Sequence, residues 1–143
     1  SEIIALSGGL GGTRGVDSVI KSSMALESAK SLVNTFDLDL VIITGKEDFI
    51  ISKNEIIKSC NVHHVMTRVT GMGCCLGSII AAFLPVSDNK VMAALSAVSY
   101  FSLAGEVASQ ASKKPGHFAA AFIDQLYDFK IKGVEEIIRV ERV

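Results

Sequence analysis

The run LDLVIITG, Leu38 to Gly45, constrains this chain more than any other stretch. Val41, Ile42 and Ile43 are consecutive β-branched aliphatic residues, the pattern of a strand buried on both faces inside a parallel sheet. Such a strand needs neighbours of its own kind, yet it is the one segment of that type in the 143 residues. The sheet is therefore expected to lack partners. The opening SEIIALSGG points the same way: it already reads as a short helix, Ser1 to Ser7 with Ser1 near its cap, so the start of the domain is expected upstream.

The segments around that strand suggest α/β layers. GGLGGTRGVDS reads as a loop, and Asp17 or Ser18 caps a helix to about Phe36, with Val19, Met24, Leu26, Ala29, Leu32 and Val33 at its apolar positions. This helix feeds the strand Leu38 to Thr44 as a right-handed crossover. DFIIS, EIIKSC and HHVMTRV then suit a small antiparallel addition at one edge of the sheet. Three helices follow, Cys74 to Leu84, Lys90 to Ser109 and Pro115 to Phe129, and EEIIRVERV closes the chain as a strand.

Composition narrows the function classes. With 49% hydrophobic and 20% charged residues, the chain has the material for one soluble globular core. A net charge of −1, with both signs interspersed, provides no basic face for nucleic acid or anionic lipid. The three cysteines, Cys60, Cys74 and Cys75, are odd in number, and two are adjacent, a strained spacing for a bridge; a reduced, cytoplasmic protein is expected. No basic-then-apolar leader opens the sequence, and the apolar run Leu76 to Val86 is short for a bilayer and interrupted by Pro85. Neither a membrane nor nucleic acid is an expected partner.

Two glycine-rich stretches compete for the chemistry. GGLGGTRG lacks the lysine and hydroxyl of G-x-x-x-x-G-K-[ST], and no register fits G-x-G-x-x-G, so it reads as a loop. TGMGC is better placed. Gly71 and Gly73 leave the amides of Gly71, Met72, Gly73 and Cys74 unobstructed at a helix start, where free N–H groups and the helix dipole favour an anion. From spacing alone, the same glycines serve equally well simply to turn the chain into a helix. In that first turn the Cys74 thiol is expected to be more acidic than a free one and able to accept a proton. Cys75 points elsewhere and reads as a small core residue, as does Cys60.

The remaining polar residues carry weaker signals. His63 and His64, adjacent in an expected strand, would face opposite sides and cannot chelate one metal together. Glu47 and Asp48 read as a solvated turn. His117 follows KPG at a helix start, within reach of a nucleotide or of nothing but water.

Taken together, SEIIALSGG, GTRGVDS, VIITGKEDFI, VTGMGCCLGSIIAAF, LAGEVASQ and KPGHF with FIDQLYDF resemble the hydroxyethylthiazole kinases, in family order across the whole chain. The resemblance implies a ribokinase-like layered α/β/α fold, of which residues 1–143 supply the C-terminal half of a single kinase domain. It implies ATP and Mg2+ as cofactors and phosphorylation of 5-(2-hydroxyethyl)-4-methylthiazole for thiamin synthesis, by a kinase standing alone or joined to a thiamin phosphate synthase. It also implies a homotrimer. By position, Cys74 replaces the superfamily's usual aspartate base of G-x-G-D. Thr44 matches a threonine that contacts ATP, and Gly71 a glycine that touches the thiazole. Glu2 matches the glutamate of N-x-x-E, which acts on the metal through water; the asparagine of that motif would precede Ser1. KKPGHF departs from the family's G-P-G-[ST]-F. Two other readings stand beside this one: another ribokinase-like enzyme, such as a hydroxymethylpyrimidine kinase or a repair dehydratase, or a non-catalytic assembly module using the Ala- and Ser-rich helix Lys90 to Ser109.

Overall fold

Helical spacing of Ala29, Leu32 and Val33 puts three apolar side chains on one face of a helix that must find a sheet to cover. The computed structural model, which describes residues 2–9, 22–128 and 136–143, shows that helix and its sheet. The chain divides into two compact units, Ser1–Lys58 with Val140–Val143, and Ser59–Arg139.

In the first unit, α1 (Glu2–Leu6) packs on α2 (Leu26–Thr35), and α2 lies on strands β1 (Val41–Ile43) and β2 (Asp48–Ile51). Ala29, Leu32 and Val33 bury against Val41, Ile43, Phe49 and Ile51. Full burial of a valine or leucine contributes about 1.5–3 kcal/mol each, so this seam holds the unit together. β3 (Ile56–Ser59) and β4 (Val140–Arg142) complete a sheet of order β1-β2-β3-β4.

The sheet differs from the expectation at its first strand. β1 pairs antiparallel with β2 in the register Val41↔Ile51, Ile42↔Ile50 and Ile43↔Phe49, so the neighbour of LDLVIITG among the described strands is the next segment in sequence rather than a parallel partner. The strand is also shorter than Leu38 to Thr44. Asp37 takes a left-handed φ of 52°, and the Leu38 amide turns back to the Val33 carbonyl at 3.0 Å, closing α2 in a Schellman-type end. An amide used there cannot enter a ladder. Lys53 binds the Asp37 carboxylate, and that hydrogen bond holds the carboxyl below its usual range.

The predicted helix before β1 begins, among the described residues, as a 3-10 turn Ser22–Ala25 leading into α2. The predicted cap at Asp17 or Ser18, Val19 and most of the GGLGGTRGVDS loop lie outside the described residues. Met24, expected in the core, is 68% exposed, because a threefold turn rotates it off the face a 3.6-residue period assigns. DFIIS and EIIKSC form β2 and β3 as expected, and Ser52 N–H to Glu55 O at 2.9 Å closes their hairpin. HHVMTRV does not form a strand. His64–Arg68 is a 3-10 helix, since His63 Nδ1 accepts from Val65 N–H at 3.3 Å and the His63 carbonyl accepts from Met66 N–H at 3.0 Å. Such local bonds compete directly with a ladder.

The second unit is helical. α3 (Met72–Phe83) and α5 (Pro115–Tyr127) both pack on α4 (Lys90–Ala111). α4 is buried nearly all round: Ala94, Ala97, Val98 and Ala104 are fully inside, and Phe101 meets Phe122 edge-on at 4.9 Å. Its small residues are thus consumed by packing within the unit, which removes the basis for reading Lys90 to Ser109 as an outward assembly face. Among the described residues, α4 is also the one helix long and apolar enough to cross a membrane by length and composition, and most of its apolar stretch is buried inside the protein.

A buried asparagine fastens the end of this unit. Asn61, 1% exposed, donates from Nδ2 to Glu106 Oε2 at 2.9 Å and to the Ile137 carbonyl at 2.7 Å, and its Oδ1 accepts from Arg139 N–H at 2.7 Å. Arg139 also pairs with Glu106 at 2.9 Å. β4 beyond it is exposed throughout; hydrogen bonds such as Val143 N–H to Ile56 O, and ion pairs of Glu141 with Lys58 and Arg142 with Glu55, attach it.

Candidate active site

The glycine turn of TGMGC is where backbone geometry becomes chemistry. The 3-10 helix His64–Arg68 ends at Val69, whose amide bonds the Met66 carbonyl at 3.2 Å. Two residues later Gly71 takes φ 90°, ψ −1°, a left-handed conformation that an L side chain resists, and becomes the N-cap of α3. The first intrahelical bond is Cys75 N–H to Gly71 O at 2.9 Å. The amides of Met72, Gly73 and Cys74 therefore precede the helix ladder, and Gly71, the N-cap, has no side chain to cap them. Gly71, Gly73 and Cys74 are exposed and Met72 is half-buried.

Gly73 differs from Gly71. Its φ is not in the left-handed region, and a Cβ built on it would meet nothing within 4 Å. What the glycine leaves open there is room above the amides rather than backbone freedom. The turn thus leaves these N–H groups at the positive end of a 12-residue helix, where an anion is favoured.

The two thiols diverge as helix phase requires. Cys74 is exposed at the helix mouth and Cys75 is partly covered; both are free thiols, as is Cys60. The Cys74 carbonyl accepts from Ser78 Oγ at 3.1 Å. Two residues after Cys74, Leu76 is the residue of α3 that is buried outright, at 4% exposure.

The other sequence-predicted residues belong to the first unit. Thr44 is exposed immediately after β1, at the position where strand ends collect ligands. Glu2 is exposed in the first turn of α1. The structure therefore groups Gly71, Met72, Gly73 and Cys74 in one turn, with Thr44 and Glu2 in the other unit.

Several contributors escape a reading by motif. Asp48, expected in a solvated turn, is 2% exposed, and its Oδ1 accepts from Gly45 N–H at 3.0 Å, shaping the TGKED turn beside Thr44. Glu47 pairs with Lys58 at 2.9 Å. Gly105, inside α4, accommodates the Met66 side chain; an isolated glycine in a helical pattern was the available signal. His117 is exposed in the first turn of α5, and the His63 and His64 rings lie 4.3 Å apart. Burial, together with the neighbouring His64 and Lys113 charges, lowers the His63 pKa, against a smaller upward pull from Glu106. A cleft of about 250 Å³ near Lys30, Ser52 and Lys53 contains none of the predicted site residues, and both lysines there are paired with carboxylates.

A family model for the hydroxyethylthiazole kinase family matches residues 1–132. The chain belongs to this family. Among its relatives, the hydroxyethylthiazole kinase of Granulibacter bethesdensis is 41% identical over 127 residues, covering 89% of this chain and 46% of that protein. The hydroxyethylthiazole kinase of Leptospira interrogans is 41% identical over 126 residues, covering 88% and 47%. A solved hydroxyethylthiazole kinase structure from Pyrococcus horikoshii superposes with a TM-score of 0.82 at 27% identity, across 99% of this chain and 52% of that one. The fold is accordingly the α/β, ribokinase-like fold of hydroxyethylthiazole kinases, and the chain spans about half the length of the relatives it matches.

Proposed function

We propose that the full-length protein transfers the γ-phosphoryl group of ATP to the alcohol of 5-(2-hydroxyethyl)-4-methylthiazole in thiamin biosynthesis or salvage. In this reading, residues 1–143 are the C-terminal half of one ribokinase-like kinase domain. The observation that carries it is the uncapped start of α3, with Gly71 left-handed and Cys74 exposed, in a chain of the hydroxyethylthiazole kinase family.

The roles follow from the geometry. Phosphoryl transfer through a loose transition state spreads charge over the equatorial oxygens, and amides fixed before the reaction stabilise that charge without reorganising. Gly71, Met72, Gly73 and Cys74 supply those amides, and Gly71 borders the thiazole. Cys74 Sγ, in its thiolate form, would accept the proton of the attacking hydroxyl and become the thiol, a modest contribution because a loose transition state needs little base. Thr44 holds ATP at the end of β1.

Magnesium keeps most of its waters and takes few protein ligands, so one exposed carboxylate in the first turn of α1 fits an outer-sphere role for Glu2. Bound with ATP, the ion neutralises phosphate charge. The protein's part is to orient that hydrated complex through Glu2 and Thr44.

The assembly is a homotrimer, in a cytoplasmic protein. Val86, Ile123 and Tyr127 are 79%, 66% and 94% exposed in the second unit, apolar side chains available to be covered by the rest of the domain or by another subunit. Light scattering on the full-length protein tests this, and a stable monomer would count against it.

The deciding assay is ADP release by the full-length protein with Mg-ATP and either alcohol. Turnover of the thiazole supports the proposal; turnover of hydroxymethylpyrimidine but not the thiazole overturns the substrate.

A further inference from the structure

We propose that Gly105 on α4 is a positioning residue for the phosphate-facing turn, acting through Met66. A Cβ added to Gly105 would land on the Sδ of Met66 and come within 2.8 Å of its Cε and 3.2 Å of its Cγ. Met66 is 5% exposed, so its side chain fills a hole that exists because position 105 has no side chain. Met66 lies in the 3-10 helix that delivers the chain to Gly71, and its carbonyl accepts from Val69 N–H at 3.2 Å, two residues short of the turn.

Gly71 therefore stands midway between two buried anchors, Met66 five residues before it and Leu76 five residues after it. Leu76 holds α3, and α3 packs on α4. Met66 holds the incoming 3-10 helix against α4. With both ends fixed to α4, the amides of Met72, Gly73 and Cys74 have a set position, and moving one anchor tilts the row. Displacements of about 1 Å at a catalytic centre change rates by up to about 10²-fold, so a methyl group at position 105 is a sensitive probe.

The effect on stability is expected to be small. Alanine is the better helix former, which offsets the strain of pushing Met66 aside. That separates positioning from folding.

The test uses the full-length protein and the variants Gly105→Ala, Met66→Ala and the double variant. The first measurement is iodoacetamide alkylation at Cys74, Cys75 and Cys60, read by peptide fragmentation mass spectrometry. Gly105→Ala should change the Cys74 rate by about threefold or more while Cys60 is unchanged, with Tm within about 4 °C of the parent. Met66→Ala, which removes the anchor, should change the Cys74 rate as well, and because both substitutions act on one contact the double variant should depart from the parent by less than the two single changes combined. Equal changes at Cys74 and Cys60, or fully additive changes in the double variant, would overturn the proposal.

The second measurement rests on the kinase reading: Gly105→Ala should lower kcat about tenfold with the thiazole KM within about twofold, and the loss in the double variant should be less than the product of the single losses. An unchanged kcat in an active enzyme would overturn the positioning role. If the parent does not phosphorylate the thiazole, the kinase reading falls, and the alkylation result alone decides the link between Gly105 and the turn.

Discussion

The Gly45 amide donates to Asp48 Oδ1 at 3.0 Å, so the turn after β1 is closed by a carboxylate that is itself 2% exposed. Thr44, the proposed ATP contact, sits one residue before that amide. Asp48→Ala takes the acceptor away from the amide and should destabilise the protein by about 1–3 kcal/mol, read as a lower urea midpoint at constant m. The same variant should raise the KM for ATP. An unchanged midpoint would mean that the bond contributes nothing to stability.

Gly71 and Gly73 should respond to alanine differently in stability and alike in activity. At Gly71 the added methyl meets no atom within 4 Å, but φ is 90°, so the whole cost is conformational, about 1–2 kcal/mol. At Gly73 a helical alanine should be neutral or slightly stabilising while crowding the space above the amides. Gly73→Ala is thus expected to keep Tm and lose activity, and Gly71→Ala to lose both. Thermal melts beside kinetics distinguish the two.

The adjacent thiols should separate as their exposure does. Cys74→Ala should lower kcat by about 10²-fold or less with little change in the KM for ATP, the low end for losing one general base. Cys74→Asp should retain or raise activity if accepting a proton is what the position supplies. Cys75→Ala, at a thiol only partly covered, should mainly reduce stability, by less than the ~1 kcal/mol expected for a fully buried one. An inactive Cys75→Ala beside a fully active Cys74→Ala would reverse the assignment.

His63 gives the fold a pH dependence of known sign. Burial first, then the His64 and Lys113 charges, disfavour its protonated form in the folded protein. The unfolded chain therefore binds more protons just below about pH 6.5, and stability present above that value is lost as pH falls towards the lowered folded pKa. Protonation also removes the Nδ1 lone pair that accepts from Val65 N–H. Urea midpoints at pH 7.5 and 5.5 should differ more for the parent than for His63→Asn, which keeps a capping acceptor without titrating. Equal differences would assign the pH dependence to other groups.

Much of the fold was legible because it rests on local patterns. Ala29, Leu32 and Val33 announced the buried face of α2, and α3, α4 and α5 begin within two residues of their expected starts. The candidate turn was legible for the same reason, since two glycines before an apolar helix restrict the geometry. What escaped depends on partners far away in sequence or on competing local bonds. HHVMTRV has strand-like residues, yet a histidine nitrogen captures the Val65 amide and winds the segment into a 3-10 helix. Asp48 has the composition of a solvated turn, and only the closed hairpin reveals its burial. The fit of Met66 to Gly105 joins positions 39 residues apart, which no spacing rule connects.

The fastening of the last strand has a direction. At its inner end Asn61 is neutral, buried and fully engaged, so its bonds are nearly blind to salt. At its outer end Arg142, with 81% of its side chain exposed, and Glu141, with 66%, hold by charges that dissolved ions screen. Raising ionic strength should therefore weaken the side-chain hold on β4 at Glu141 and Arg142 while leaving the Asn61 bonds to Ile137 and Arg139 in place.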